Sequence, residues 1–105
     1  MVCDHFEALG HPTIRNHPGT TEGYVHNLGH GIGLEVHEHP FLRLQDEPEP
    51  RNRLVPGAVF TIEPGLYYPE RGMGIRLEDV VYFDTKGKAR ILAPFKKFPV
   101  LKLEG

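Results

Sequence analysis

"HNLGHGIGLEVHEHP", residues 26–40, holds four of the chain's seven histidines within fifteen positions, interleaved with three glycines and two glutamates. Surface histidines scatter along a chain and a core histidine tends to stand alone, so this density marks a site. Glycine at positions 29, 31 and 33 lets the backbone bend the histidines inward. From Gly33 onward "GLEVHEHP" alternates. That pattern predicts a strand with Leu34 and Val36 on one face and Glu35 and His37 on the other.

Working outward, "VCDHFEAL" (2–9) carries Val2, Cys3, Phe6 and Leu9 at near-helical spacing with Gly10 as a stop, which predicts the end of a helix. Residues 11–25 read as loop. "RLQDEPEPRNRL" (43–54) is charged and broken by proline, an exposed loop. "PGAVFTIEPG" (56–65) is a short β-rich run between two Pro-Gly pairs, and "MGIRLEDVVYFD" (73–84) reads as one strand that turns at "TKGKA" and returns as "RILAP". "FKKFPVLKLEG" forms a tail. Twelve glycines and ten prolines are too many for a helical bundle and fit short strands joined by tight turns. One helix fragment with several antiparallel strands gives an α+β class.

The 105 residues fit a single domain, 1–105. A net charge of −2 provides no basic field, so nucleic acid is excluded as a partner. No apolar run reaches the roughly 18–20 residues that span a bilayer, so no membrane partner is expected. "MVCDHFEALGHP" lacks the basic and apolar regions of a secretory signal. The single cysteine, Cys3, cannot form an internal disulfide, and the expected location is the reducing cytoplasm.

Three β-rich segments offer metal ligands: His30 in "GHGIG", Glu63 in "FTIEPG" and Glu78 in "RLED". Imidazole with carboxylates suits Mn²⁺, Co²⁺, Fe²⁺ or Zn²⁺. Arg76 and Glu78 are two residues apart, hence on one face of a strand, with Ile75 and Leu77 buried on the other. Each residue alone has a plain structural reading. His30 could bond backbone in a glycine turn, Glu63 could cap a turn, and Glu78 could pair with an arginine.

In this order, "GHGIGLEVHE", "VFTIEPGLYYP" and "GIRLEDVVY" resemble the C-terminal motifs of the pita-bread metallopeptidases, the family of methionine aminopeptidase, aminopeptidase P and prolidase. The likeness covers residues 24–84 closely and the whole chain more loosely. Methionine aminopeptidases carry glutamine two residues before the last glutamate ligand, where this chain has Arg76. With "EPGLYYP" and "RLED" it is similar to the proline-directed branch, the Xaa-Pro aminopeptidases and Xaa-Pro dipeptidases.

The resemblance implies that His30, Glu63 and Glu78 are metal ligands, with Glu78 bridging two ions and Glu63 also handling the proton of the nucleophilic water. It implies that His37 steadies the tetrahedral intermediate, and that His26, Tyr67 and Arg76 contact or orient the substrate, a peptide with proline after the scissile bond. Two divalent ions, Mn or Co with Zn and Fe as alternatives, would complete the site. The family also uses two aspartates upstream of the histidine motif. Only Asp4 precedes His30 here, so the expectation is the C-terminal half of a catalytic domain, inactive alone, holding one metal or none. A homodimer in which a second copy replaces the absent half follows from that reading. The competing reading is a pita-bread module that binds peptide or protein without catalysis. His39 fits no family role and is expected at the surface, as are His5, His11 and His17.

Overall fold

The computed structural model describes residues 1–44, 47–98, 100 and 103. Gln45 and Asp46 of the expected loop, and Pro99, Leu101, Lys102, Glu104 and Gly105 of the expected tail, lie outside the described residues.

The helix forms as its spacing predicts, as α1 (Val2–Ala8). Leu9 ends it, and Gly10 takes the left-handed conformation at φ +85°. The Gly10 N–H then donates to the Glu7 carbonyl and the His11 N–H to the Phe6 carbonyl, 3.0 Å each. These paired bonds satisfy carbonyls that a helix end otherwise leaves bare. Cys3 and Phe6 turn towards Tyr24, whose ring centroid lies 5.4 Å from that of Phe6. Arg15 ties the helix to the following loop through Asp4 and Glu7.

Seven strands follow: β1 (Gly29–Gly31), β2 (Glu38–Leu42), β3 (Val59–Ile62), β4 (Gly65–Tyr68), β5 (Met73–Arg76), β6 (Asp79–Phe83) and β7 (Ala89–Ile91). Five make an antiparallel sheet in the order β2-β1-β3-β6-β7, while β4 and β5 form a separate hairpin. Two short 3₁₀ turns, Pro50–Asn52 and Pro69–Arg71, complete the described elements. Phe60 and Val81 are register partners at the centre of the sheet and are buried, as are Tyr24 and Cys3 at the helix. The α+β class holds.

Two expectations change. Residues 33–37 are a run of bends rather than a strand. Leu34 is 102% exposed and Val36 83%, so the alternating text has no apolar face to bury. The strand begins only at Glu38. Secondly, residues 73–84 are two strands in two sheets. Pro64 has no N–H and interrupts the ladder between β3 and β4, and the partner chain breaks opposite it, at Leu77 and Glu78. Ile62 pairs with Asp79 and Gly65 with Arg76, so the register is the same on both sides and Glu63 faces Glu78 across the gap. Ile75 and Leu77, expected to be buried, are 49% and 45% exposed.

Candidate active site

The glycines of the histidine stretch are set by contact. A Cβ on Gly29 would lie 1.8 Å from the Thr61 carbonyl oxygen of β3, and one on Gly31 would lie 2.1 Å from the His39 carbonyl oxygen of β2. Only glycine lets β1 enter between its neighbours. The register between β1 and β2 also shifts between Gly29 and Gly31, an irregularity of the kind that re-aims a side chain. The residue at the shift is His30.

His30 Nδ1–H donates to the Gly31 carbonyl at 2.9 Å. In the neutral ring this leaves the lone pair on Nε2, which stands 3.2 Å from Glu63 Oε1. Glu63 is the first residue after β3, buried, and its backbone N–H is fixed by the Leu28 carbonyl at 2.8 Å. Its second oxygen faces Arg76 Nη1 at 3.4 Å. Arg76 Nε in turn donates to the Tyr67 hydroxyl at 2.6 Å. That bond, ahead of the charges of Glu63 and Glu78, holds the guanidinium above its ordinary value.

The bends at 33–37 bring His37 back over His30, ring centroids 4.5 Å apart and edge to face. His26 sits between the rings of Tyr24 and Tyr67, 5.5 Å from each. Its Nδ1–H donates to the Asn27 carbonyl at 2.6 Å, while its buried Nε2 has no hydrogen-bond partner among the described residues. A cleft of about 370 Å³ is lined by His26, Asn27, His30, His37, Phe41, Glu63 and Arg76, with Gly29 at its floor.

Six of the seven expected site residues therefore meet: His26, His30, His37, Glu63, Tyr67 and Arg76. Glu78 is exposed on the link between the sheets, and among the described residues no three His, Cys, Asp or Glu side chains converge as a metal-binding group. The donor chemistry nevertheless fits a divalent cation. A ligating histidine commonly gives its other ring N–H to a carbonyl, as His30 does, and its free lone pair points at a carboxylate. Glu63 and Glu78 also hold facing register positions, with Arg76 as the cation beside Glu63.

Thr61, Asn27 and Phe41 belong to this region and escaped the sequence reading. The signal for Thr61 was its place two residues before Glu63, hence on the same face of the chain. His39 is a correction of another kind. It is half-buried, and its Nδ1 donates to Asn52 Oδ1 at 2.7 Å, an oxygen that also accepts the Phe41 N–H at 2.9 Å. His11 is likewise engaged, with Nδ1 2.5 Å from the Tyr68 hydroxyl. His5 and His17 are exposed, as expected.

With this fold and cleft, the family model of metallopeptidase family M24 matches residues 2–85. The chain belongs to that family, whose fold is the pita-bread fold. Among its relatives are an Xaa-Pro dipeptidase of Pyrococcus furiosus, 37% identical over 87% of this chain and 24% of the relative, and one of Pyrococcus horikoshii, 45% identical over 70% and 19%. An uncharacterized peptidase of Bacillus subtilis, YqhT, is 39% identical over 96% of this chain and 25% of its own length. The chain thus spans a quarter or less of these relatives.

Proposed function

We propose that residues 1–105 form the C-terminal half of the catalytic domain of a proline-directed metallopeptidase, an enzyme that hydrolyses Xaa-Pro peptide bonds at a dinuclear metal site. One observation carries the reading: His30 and Glu63 meet ligand atom to ligand atom inside a cleft walled by His26, His37 and Arg76. His30 and Glu63 would hold one ion, and Glu78, at the position facing Glu63, would be the bridging carboxylate. Mn²⁺ or Co²⁺ suits these donors, with Zn²⁺ and Fe²⁺ as alternatives. A bound divalent pair supplies an activated water and polarises the scissile carbonyl.

The remaining work belongs to the side chains. Glu63 is buried and held between an imidazole and a guanidinium, a placement suited to accepting a proton at Oε1 or Oε2 and passing it on. His37, on the exposed lip over His30, is placed to donate to an oxyanion. His26, on the cleft wall between Tyr24 and Tyr67, is placed to contact the substrate. Arg76 faces the Glu63 carboxylate through Nη1 and positions the Tyr67 hydroxyl through Nε.

The substrate is a peptide with proline after the scissile bond, in line with the names of the Pyrococcus relatives. The single free cysteine accords with a cytoplasmic location. Among the described residues no helix is long and apolar enough to cross a membrane. The chain alone holds one ion at most and is inactive, because nothing in it supplies the family's two aspartates, and a second copy occupies the place of the other half.

The test is calorimetric titration of Mn²⁺ and Co²⁺ into metal-free protein, beside Glu63→Gln and Glu78→Ala, with the same samples assayed on an Xaa-Pro dipeptide. The expected result is weak binding of one ion, lost in Glu63→Gln, without turnover. Two tightly bound ions with turnover would overturn the half-domain reading. Binding of an ion that Glu63→Gln leaves unchanged would overturn the metal assignment.

A further inference from the structure

Thr61 is 2% exposed and lies in β3 between the two residues on which the proposed site rests. Its Oγ1 accepts the His30 N–H at 3.0 Å and stands 2.9 Å from Glu63 Oε1. A hydroxyl has one proton to give. The alternatives for it are the Glu63 carboxylate and the His30 carbonyl, the latter at 3.5 Å. The shorter distance and the charged acceptor decide for Glu63, since a bond to an ionised oxygen is about twice as strong as a neutral one. Thr61 therefore holds both partners at once. It receives from the backbone of β1 at His30 and donates to the carboxylate that His30 faces.

We infer that Thr61 is a positioning residue that sets the His30–Glu63 pair through its hydroxyl, rather than a residue that serves only to join β1 to β3. The inference rests on the reading that His30 and Glu63 act together. The side chain suits the task. Residues 61 and 63 fall on the same side of the extended chain, and a β-branched residue holds a narrow range of χ1, so the hydroxyl keeps its aim at little ordering cost. Glu63 Oε1 then accepts from Thr61 and faces His30 Nε2, while Oε2 lies towards Arg76. Valine has the same shape without the hydroxyl. Serine keeps the hydroxyl without the methyl group.

The experiment compares the wild-type chain, Thr61→Ser and Thr61→Val by nuclear magnetic resonance without metal. It follows the carbon-13 resonance of the Glu63 carboxyl and the exchange rate of the His30 amide, with the amides of Phe60 and Val81 as references. Serine should leave the carboxyl resonance in place and keep His30 exchange within about twofold. Valine should move the resonance and speed His30 exchange about tenfold, the loss of one buried hydrogen bond, with the reference amides unchanged. An unmoved carboxyl, or exchange that accelerates equally at all three amides, would mean a joining role only and would overturn the inference.

If the valine variant does not fold, the wild-type hydroxyl proton answers directly. A nuclear Overhauser contact to the Glu63 side chain supports the assignment, and orientation towards the His30 carbonyl overturns it. Metal enters none of these readouts. Ion binding that Glu63→Gln leaves unchanged would count against the metal assignment and leave the role of Thr61 standing.

Discussion

The carbonyl oxygen of Thr61 occupies the space in which a side chain on Gly29 would begin. Gly29→Ala should therefore push β1 off β3 and cost about 3 kcal/mol, at the upper end for overpacking, as read from the urea midpoint. Gly57 is the control, with φ +86° and nothing within 4 Å of an added Cβ. There alanine meets only the left-handed backbone penalty of about 1–2 kcal/mol. Equal losses at the two positions would show that β1 does not press on β3 in solution. Phe60 tests the other side of the sheet. Buried against Phe83, ring centroids 5.4 Å apart, it should cost about 3–5 kcal/mol on truncation to alanine.

Among the elements, α1 is fastened by charge as much as by packing. The Arg15 guanidinium, and after it the Thr13 hydroxyl, hold the Glu7 carboxyl below its ordinary value of 4.5. A carboxyl depressed in the folded state stabilises fully above its unfolded pKa. That contribution is lost as pH falls through the folded value. Urea midpoints should accordingly drop between pH ~6 and ~3. Arg15→Ala should be less stable at the upper end and show a shallower fall, and a parallel curve would sink the idea.

The helix, the hairpin turn after Asp84 and the β3 run were legible because local chemistry decides them. Spacing and Gly10 decide the first, Gly87 at φ +73° the second, and β-branched residues the third. The bends at 33–37 and the break at Leu77–Glu78 were not. Alternation reveals which residues could share a face but not whether anything covers it, and the break at 77–78 is imposed by Pro64 on the opposite strand. The candidate site was legible in its residue types, since chemistry limits which side chains can do such work. Its support, Thr61 on β3, is an ordinary residue whose importance comes only from what the fold places beside it.

At the scale of the molecule, the accessible surface is 8113 Å² and the radius of gyration 15.6 Å. A compact chain of this mass would expose roughly 6,000 Å² and have a radius near 13 Å. The difference is on the scale of a large permanent interface. Met73 on β5, Ile91 on β7, and Leu92 and Phe95 beyond it contribute to the exposed apolar surface. Light scattering at micromolar concentration should give a mass above the 11.9 kDa of one chain. A monomeric value would remove the proposed second copy.

The cleft wall has an optical consequence. The chain has no tryptophan and four tyrosines, so its ultraviolet emission is tyrosine emission. Two of the four emitters, Tyr24 and Tyr67, sandwich His26 beside the cleft, and Tyr67 also gives its oxygen to a guanidinium. A proton on that imidazole, or a ligand against it, alters the surroundings of half the fluorophores in the protein. The occupancy of this cleft is thus written into its native glow, readable without a label.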